Sequence, residues 1–257
     1  MQDLKLTMLQ GDLAWQNPTA NREHYGPLIA EQAPTSDLIV LPEMFNTGFT
    51  MDAETHAEET DGPTTNWLQA MAREHRTALC GSLIITASDR YYNRLIWAHP
   101  DGHIESYDKR HLFRMAEEDK HYSAGSSRLV VELLGWKICP LICYDLRFPV
   151  WSRNNNDYDL VLYVANWPAA RRSAWDTLLP ARAVENLCYS AGLNRTGTDG
   201  NGISYDGGSV ICDFLGHKLT KADETAQTVS ATLDAGKLQR YRRKFPAWKD
   251  ADTFEIH

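Results

Sequence analysis

Cys143 closes an apolar run in "LICYDLRFP" (141–149), and Asp145, Arg147 and Pro149 follow at once. A thiol led out of a hydrophobic strand into a charged turn stands where a nucleophile would; the simpler alternative is a small core residue at a strand end. A cysteine nucleophile needs help, because its free pKa near 8.5 leaves only a few per cent thiolate at neutral pH. Two other strand ends carry suitable helpers. Glu43 follows "DLIVLP" and Lys109 follows "HIESYD". A glutamate would take the thiol proton. A lysine would hold the oxyanion of a tetrahedral intermediate, where losing one donor costs about 3 kcal/mol in the barrier. Lys109 also reads as a solvated lysine in "DKRH", and Glu43 as a cap or a surface acid. Spacing along the chain leaves open whether the three meet in space.

The elements that must position these residues follow from periodicity. Residues 4–9, 37–41, 78–86, 91–100 and 103–107 have strand length and composition, and "PDGH" makes the last two a hairpin. Residues 20–33 and 64–76 have helical spacing, with Pro27 inside the first. The second half repeats the scheme. Residues 129–143 read as a strand pair and 159–167 as a buried strand. Residues 173–189 read as a helix with Trp175, Leu178, Leu179, Ala183 and Leu187 on one face, and 207–222 as a hairpin around "DFLG". Ser173 and Asp176 resemble a capping pair, and Pro180 should kink or split that helix. Pro140 inside the strand before Cys143 demands an edge or bulge position. The charged stretch 110–127 reads as a surface excursion, a lid or a pocket wall. Strands alternating with helices indicate an α/β class in layers, with reactive groups at the carboxyl ends of strands.

Composition narrows the partners. The 257 residues are 43% hydrophobic and 23% charged, enough for one large core, so 1–257 is read as one domain. A net charge of −8 and a pI of about 5.6 argue against a nucleic-acid partner. No segment reaches the roughly 18 apolar residues of a membrane span, and the start lacks a signal-like run, so a cytoplasmic home is expected. Five cysteines without a C-x-x-C pair support neither a disulfide framework nor a structural zinc. A papain-like pairing would use His111 or His121, but nothing like C-G-x-C-W surrounds Cys143. A dinucleotide fold would need G-x-G-x-x-G, which is absent.

The blocks "LPEMFNTGF" (41–49), "YDKRHLF" (107–113) and "ICYDLRFP" (142–149) resemble the signature blocks of the carbon–nitrogen hydrolase, or nitrilase, superfamily, in the same order. The similarity continues through "ANWP" (165–168), "ARAVEN" (181–186), "NRTGTDGNG" (194–202) and the hairpin at 207–219, nearly the whole chain. The resemblance implies a four-layer αββα sandwich and a Glu-Lys-Cys triad. Glu43 would be general base and acid, Lys109 the oxyanion stabiliser with the backbone N–H of Tyr144, and Cys143 the nucleophile. It also implies a second glutamate that orients the lysine. Glu117 and Glu118 both qualify, and the spacing to "SAG" (123–125) favours Glu118. No metal or organic cofactor is implied. "CYDLRFP" with "KRHLF" looks like the small omega-amidase branch, which hydrolyses the terminal amide of 2-oxoglutaramate and 2-oxosuccinamate; another small amide, such as deaminated glutathione, is the alternative. A far carboxylate would call on Arg147 or Arg114, with Phe45, Tyr144 and Trp167 as walls, although Arg147 equally suits an ion pair with Asp145. "FPAWKDAD" resembles the family's subunit-contact tail, which implies a homodimer.

Overall fold

A computed structural model describes residues 1–256. Two twisted sheets lie face to face. In the first, the spatial order is Gln227–Leu233, Leu4–Gln10, Leu38–Val40, Ala78–Ala87, Arg90–Ala98 and Ile104–Asp108, with Glu58–Glu59 also pairing with Ala78–Ala87. In the second it is Lys218–Lys221, Val210–Cys212, Tyr189–Asn194, Leu160–Ala165, Trp136–Ile142 and Val131–Leu133. Each sheet has three parallel strands at its heart, flanked by antiparallel neighbours. The central strands are almost wholly buried because both faces are covered. Leu38 and Val40 point into the core between the sheets, while Ile39 and Leu41 face the helices Pro18–Gln32 and Pro63–His75. On the far side, Trp175, Leu179 and Ala183 of the helix Arg172–Asn186 pack on the second sheet. The layers run helix, sheet, sheet, helix, as the αββα expectation requires. Among the described residues no helix is long and apolar enough to cross a membrane.

Local chemistry explains the element ends. Asn17 caps the first helix by accepting from Ala20 N at 3.1 Å, and Pro18 occupies its first turn. Arg76 and Leu187 end the other two long helices in the left-handed region, at φ 52° and 50°. Leu187 closes the helix at Asn186, three residues before the periodicity ends, and Tyr189 opens a central strand that the apolar spacing concealed. Pro180 neither splits nor ends its helix. Packing of Trp175 and Leu179 against the sheet holds the turn together despite the missing N–H. That approach is close: a Cβ at Gly192 would lie 2.4 Å from Leu179 Cδ1. Ser173 does not cap this helix, which begins one residue earlier without a side-chain cap; Asp176 pairs instead with Arg172 and Lys221. Pro140 has its edge position. Val131–Leu133 pairs with Trp136–Ile138 only, so beyond Ile138 that flank of the strand has no neighbour.

Candidate active site

Three parallel strands deliver polar groups to one end of the sandwich. Leu38–Val40 leads to Glu43, Trp136–Ile142 to Cys143 and Leu160–Ala165 to Asn166. The edge strand Ile104–Asp108 leads to Lys109. Between the layers these groups have almost no water: Glu43 and Glu118 are fully buried, Lys109 is 1% exposed and Cys143 9%.

Lys109 Nζ is the hub. It donates to Glu43 Oε1 at 2.9 Å and to Glu118 Oε1 and Oε2 at 3.0 and 2.9 Å. Glu118 also accepts from Phe113 N, which fixes the excursion around the lysine. Glu117 points out and pairs with Lys120. Glu43 is held by three further donors: Asn93 Nδ2 at 2.8 Å to Oε1, and Asn166 N at 2.7 Å and Nδ2 at 3.3 Å to Oε2. Asn166 joins the base to the thiol, because its carbonyl lies 3.8 Å from Cys143 Sγ.

Charge follows burial here. Burial disfavours the Lys109 ammonium, but Glu118 and Glu43 outweigh it and hold the pKa above the ordinary lysine value. Burial pushes Glu118 up against the pull of Lys109. Burial, reinforced by Glu43, pushes the Cys143 thiol well above its usual value, and Lys109 does not reverse this. The resting sulfur is therefore a thiol, and its proton must leave as it attacks.

The turn that presents the sulfur is anchored by one buried carboxylate. Cys143 has φ 44° and starts the tight turn Cys143–Arg147. Asp145 Oδ2 accepts from Ile142 N at 3.0 Å and Tyr107 OH at 2.7 Å; Oδ1 accepts from His111 N at 3.0 Å and meets His111 Nδ1 at 2.7 Å. Asp145 thus ties the cysteine turn to both sides of Lys109. It leaves nothing for Arg147, so that ion pair does not form. His111 is stacked on Phe148 at 3.7 Å with its Nδ1 turned to Asp145. His121 is exposed.

Above the sulfur opens a cleft of about 590 Å³. Cys143, Lys109, Tyr144, Arg147 and Trp167 line it, so two of the expected wall residues and one of the two expected arginines reach it. Arg114 does not. Its side chain is 85% exposed, 3.8 Å from Asp119. Phe45 does not either. It is fully buried among Leu41, Tyr25 and Trp67, because the turn after Glu43 sends it back toward the helices. The cleft draws instead on Phe113 and Met115 from the excursion, Arg171 from the turn Ala169–Arg171, and the hairpin Thr196–Thr198 with Ser204–Asp206. Asn93, Asn166 and Arg171 escaped the sequence reading, and Asp145 entered it only as a partner for Arg147. An asparagine at a buried strand end was the available signal for Asn166; mid-strand Asn93 gave none. Among the described residues no cluster of side chains could hold a metal ion.

Comparison with known proteins bears on the family and the fold. A family model described as carbon-nitrogen hydrolase matches residues 5–243. The chain is 48% identical to the omega-amidase YafV of Escherichia coli (strain K12) over the whole of both chains. It is 32% identical to the 2-oxoglutaramate amidase of Bacillus subtilis (strain 168), covering 95% of this chain and 96% of that one. Among solved structures it superposes on XC1258 from Xanthomonas campestris, a CN-hydrolase superfamily protein carrying an arsenic adduct in its active site. The TM-score is 0.98 at 46% identity with full coverage of both chains. A point mutant of an amidase from Nesterenkonia sp. AN1, showing Michael addition of acrylamide at the active-site cysteine, gives 0.84 at 26% identity over 95% and 98% of the two chains.

Proposed function

The chain belongs to the carbon–nitrogen hydrolase family, and from that premise we propose that it is an omega-amidase. It hydrolyses the terminal amide of 2-oxoglutaramate or 2-oxosuccinamate to the 2-oxo diacid and ammonia. The observation that carries the reading is the buried Glu43–Lys109–Glu118 cluster at the foot of a cleft that also contains Cys143. The full-length likeness to omega-amidases supports the substrate class.

In this reading Glu43 takes the Cys143 proton as sulfur attacks the amide carbon. The C=O electrons move to oxygen, where Lys109 and the N–H of Tyr144 stabilise the charge. The oxyanion collapses, the C–N bond breaks, and Glu43 gives its proton to nitrogen, which leaves as ammonia. Water then attacks the thioester with Glu43 as base, the C–S bond breaks, and thiol and acid are regenerated. Glu118 holds the lysine in place. Tyr144 and Trp167 flank the chain of the substrate, and Arg147 meets its far carboxylate.

The test compares kcat/KM for 2-oxoglutaramate with that for deaminated glutathione. A preference for 2-oxoglutaramate of at least about a hundredfold is expected; a reversed preference would move the enzyme to another branch. A homodimer fits the tail "FPAWKDAD", whose Phe245 is 54% exposed, and light scattering at twice the chain mass checks it. The five unpaired cysteines suit a reducing compartment such as the cytoplasm.

A further inference from the structure

Two arginines enter the cleft without a countercharge. Arg147, in the cysteine turn, holds its guanidinium 5.1 Å over the Trp167 ring, and Arg171 lies 5.2 Å over the Phe113 ring. Among the described residues neither makes a salt bridge. The guanidinium of Arg171 lies against the uncharged thioether of Met115, a residue 76% exposed. Three arginines elsewhere show what a tight partner looks like: Arg94 with Asp108 at 2.6 Å, Arg128 with Asp157 at 2.7 Å, Arg242 with Asp159 at 2.6 Å. The acid in the cleft wall, Asp199, is already committed. Its Oδ1 accepts from Asn201 N at 2.9 Å and Ile203 N at 3.0 Å, and its Oδ2 from Tyr205 OH at 2.9 Å. The wall therefore offers two unneutralised cations and no free carboxylate.

We infer that Arg171 determines the specificity of this cleft. Together with Arg147 it grips the carboxylate at the far end of the substrate, exchanging the uncharged sulfur contact for a charge-assisted one, and it repels an ammonium at C2. The substrate class is then short ω-amides that carry a carboxylate and no amine, and L-glutamine is rejected. This rests on the amidase reading above, which gave the carboxylate to Arg147 alone.

The test uses glutaramate and pentanamide, which share a five-carbon chain and differ in the carboxylate. Arg171→Gln should lower kcat/KM for glutaramate by about tenfold or more, mainly through KM, and leave pentanamide within about twofold. Arg171→Lys should recover part of the loss. By calorimetry, the Kd for 2-oxoglutarate should rise by a similar factor in Arg171→Gln. L-Glutamine should be about a hundredfold poorer than glutaramate for the wild type, and Arg171→Gln should narrow that gap. Equal loss on both amides, or an unchanged Kd, would overturn the role of Arg171. Failure of the wild type to cleave 2-oxoglutaramate would instead sink the omega-amidase reading, and the calorimetric arm reads Arg171 without turnover.

Discussion

At the residue scale the site is a lysine buried between two carboxylates beside a protonated thiol. Removing the lysine does two things. It takes away an oxyanion donor, worth about two orders of magnitude in turnover, and it leaves two carboxylates buried without their cation. Lys109→Met should therefore also destabilise the fold by about 3–5 kcal/mol, read as a lower denaturant midpoint. An unchanged midpoint would mean that the charges are solvated after all. The thiol makes its own prediction. Because burial and Glu43 raise the Cys143 pKa, its alkylation by iodoacetamide should keep accelerating above pH 9, and a plateau near neutrality would show a preformed thiolate. Glu43, Lys109 and Cys143 were legible in the sequence because each interrupts an apolar strand end with a reactive group. Arg114 misled because it follows directly on "KRHLF" (109–113), a block that does not say which way the turn faces. Arg171 was invisible because its neighbour Phe113 is remote in sequence.

At the element scale the strands set the direction and the turns set the distances. The strands Leu38–Val40 and Leu160–Ala165 were legible, since continuous apolar runs ended by a polar residue leave little choice. The strand Tyr189–Asn194 was hidden because helical spacing runs on into it, and only the left-handed Leu187 marks the break. The excursion 110–127 read as a surface excursion, a lid or a pocket wall, and Phe113 and Met115 put part of it in the cleft wall, but its return is fixed by a contact that no pattern announces. Gly125 N donates to Lys109 O at 2.9 Å, and a Cβ there would stand 2.2 Å from Asp108 O. The cysteine turn and the lysine loop are linked through Asp145, whose two oxygens face four donors. An asparagine would set its own NH₂ against one or more of them. Asp145→Asn should cut kcat by about tenfold or more and lower Tm, while alkylation of Cys143 persists. Unchanged kcat would show that the turn holds itself. His111→Gln should leave the acylation burst largely intact, since Glu43 and not that ring is the base, and the His111 N contact to Asp145 is retained.

At the scale of the whole molecule the two sheets enclose five thiols. Burial raises all of them: Cys212 to about 11, Cys139 to about 12, and Cys80, Cys143 and Cys188 further. The unfolded chain ionises these groups near pH 8.5 and the folded one does not. Their contribution to stability is complete below that pH and is lost as the pH rises toward the folded values. Urea midpoints should fall between pH 9 and 11, at about 1.4 kcal/mol per pH unit for each thiol ionised only when unfolded. A flat profile would contradict the burial. The chemistry gathered at one end of this sandwich is tested most directly by quenching the enzyme during turnover of 2-oxoglutaramate and mapping the adduct by mass spectrometry. The account predicts the substrate acyl group, less ammonia, on the peptide containing Cys143, with no adduct and no turnover in Cys143→Ala. Turnover that survives in Cys143→Ala, or an acyl group on another residue, would contradict it.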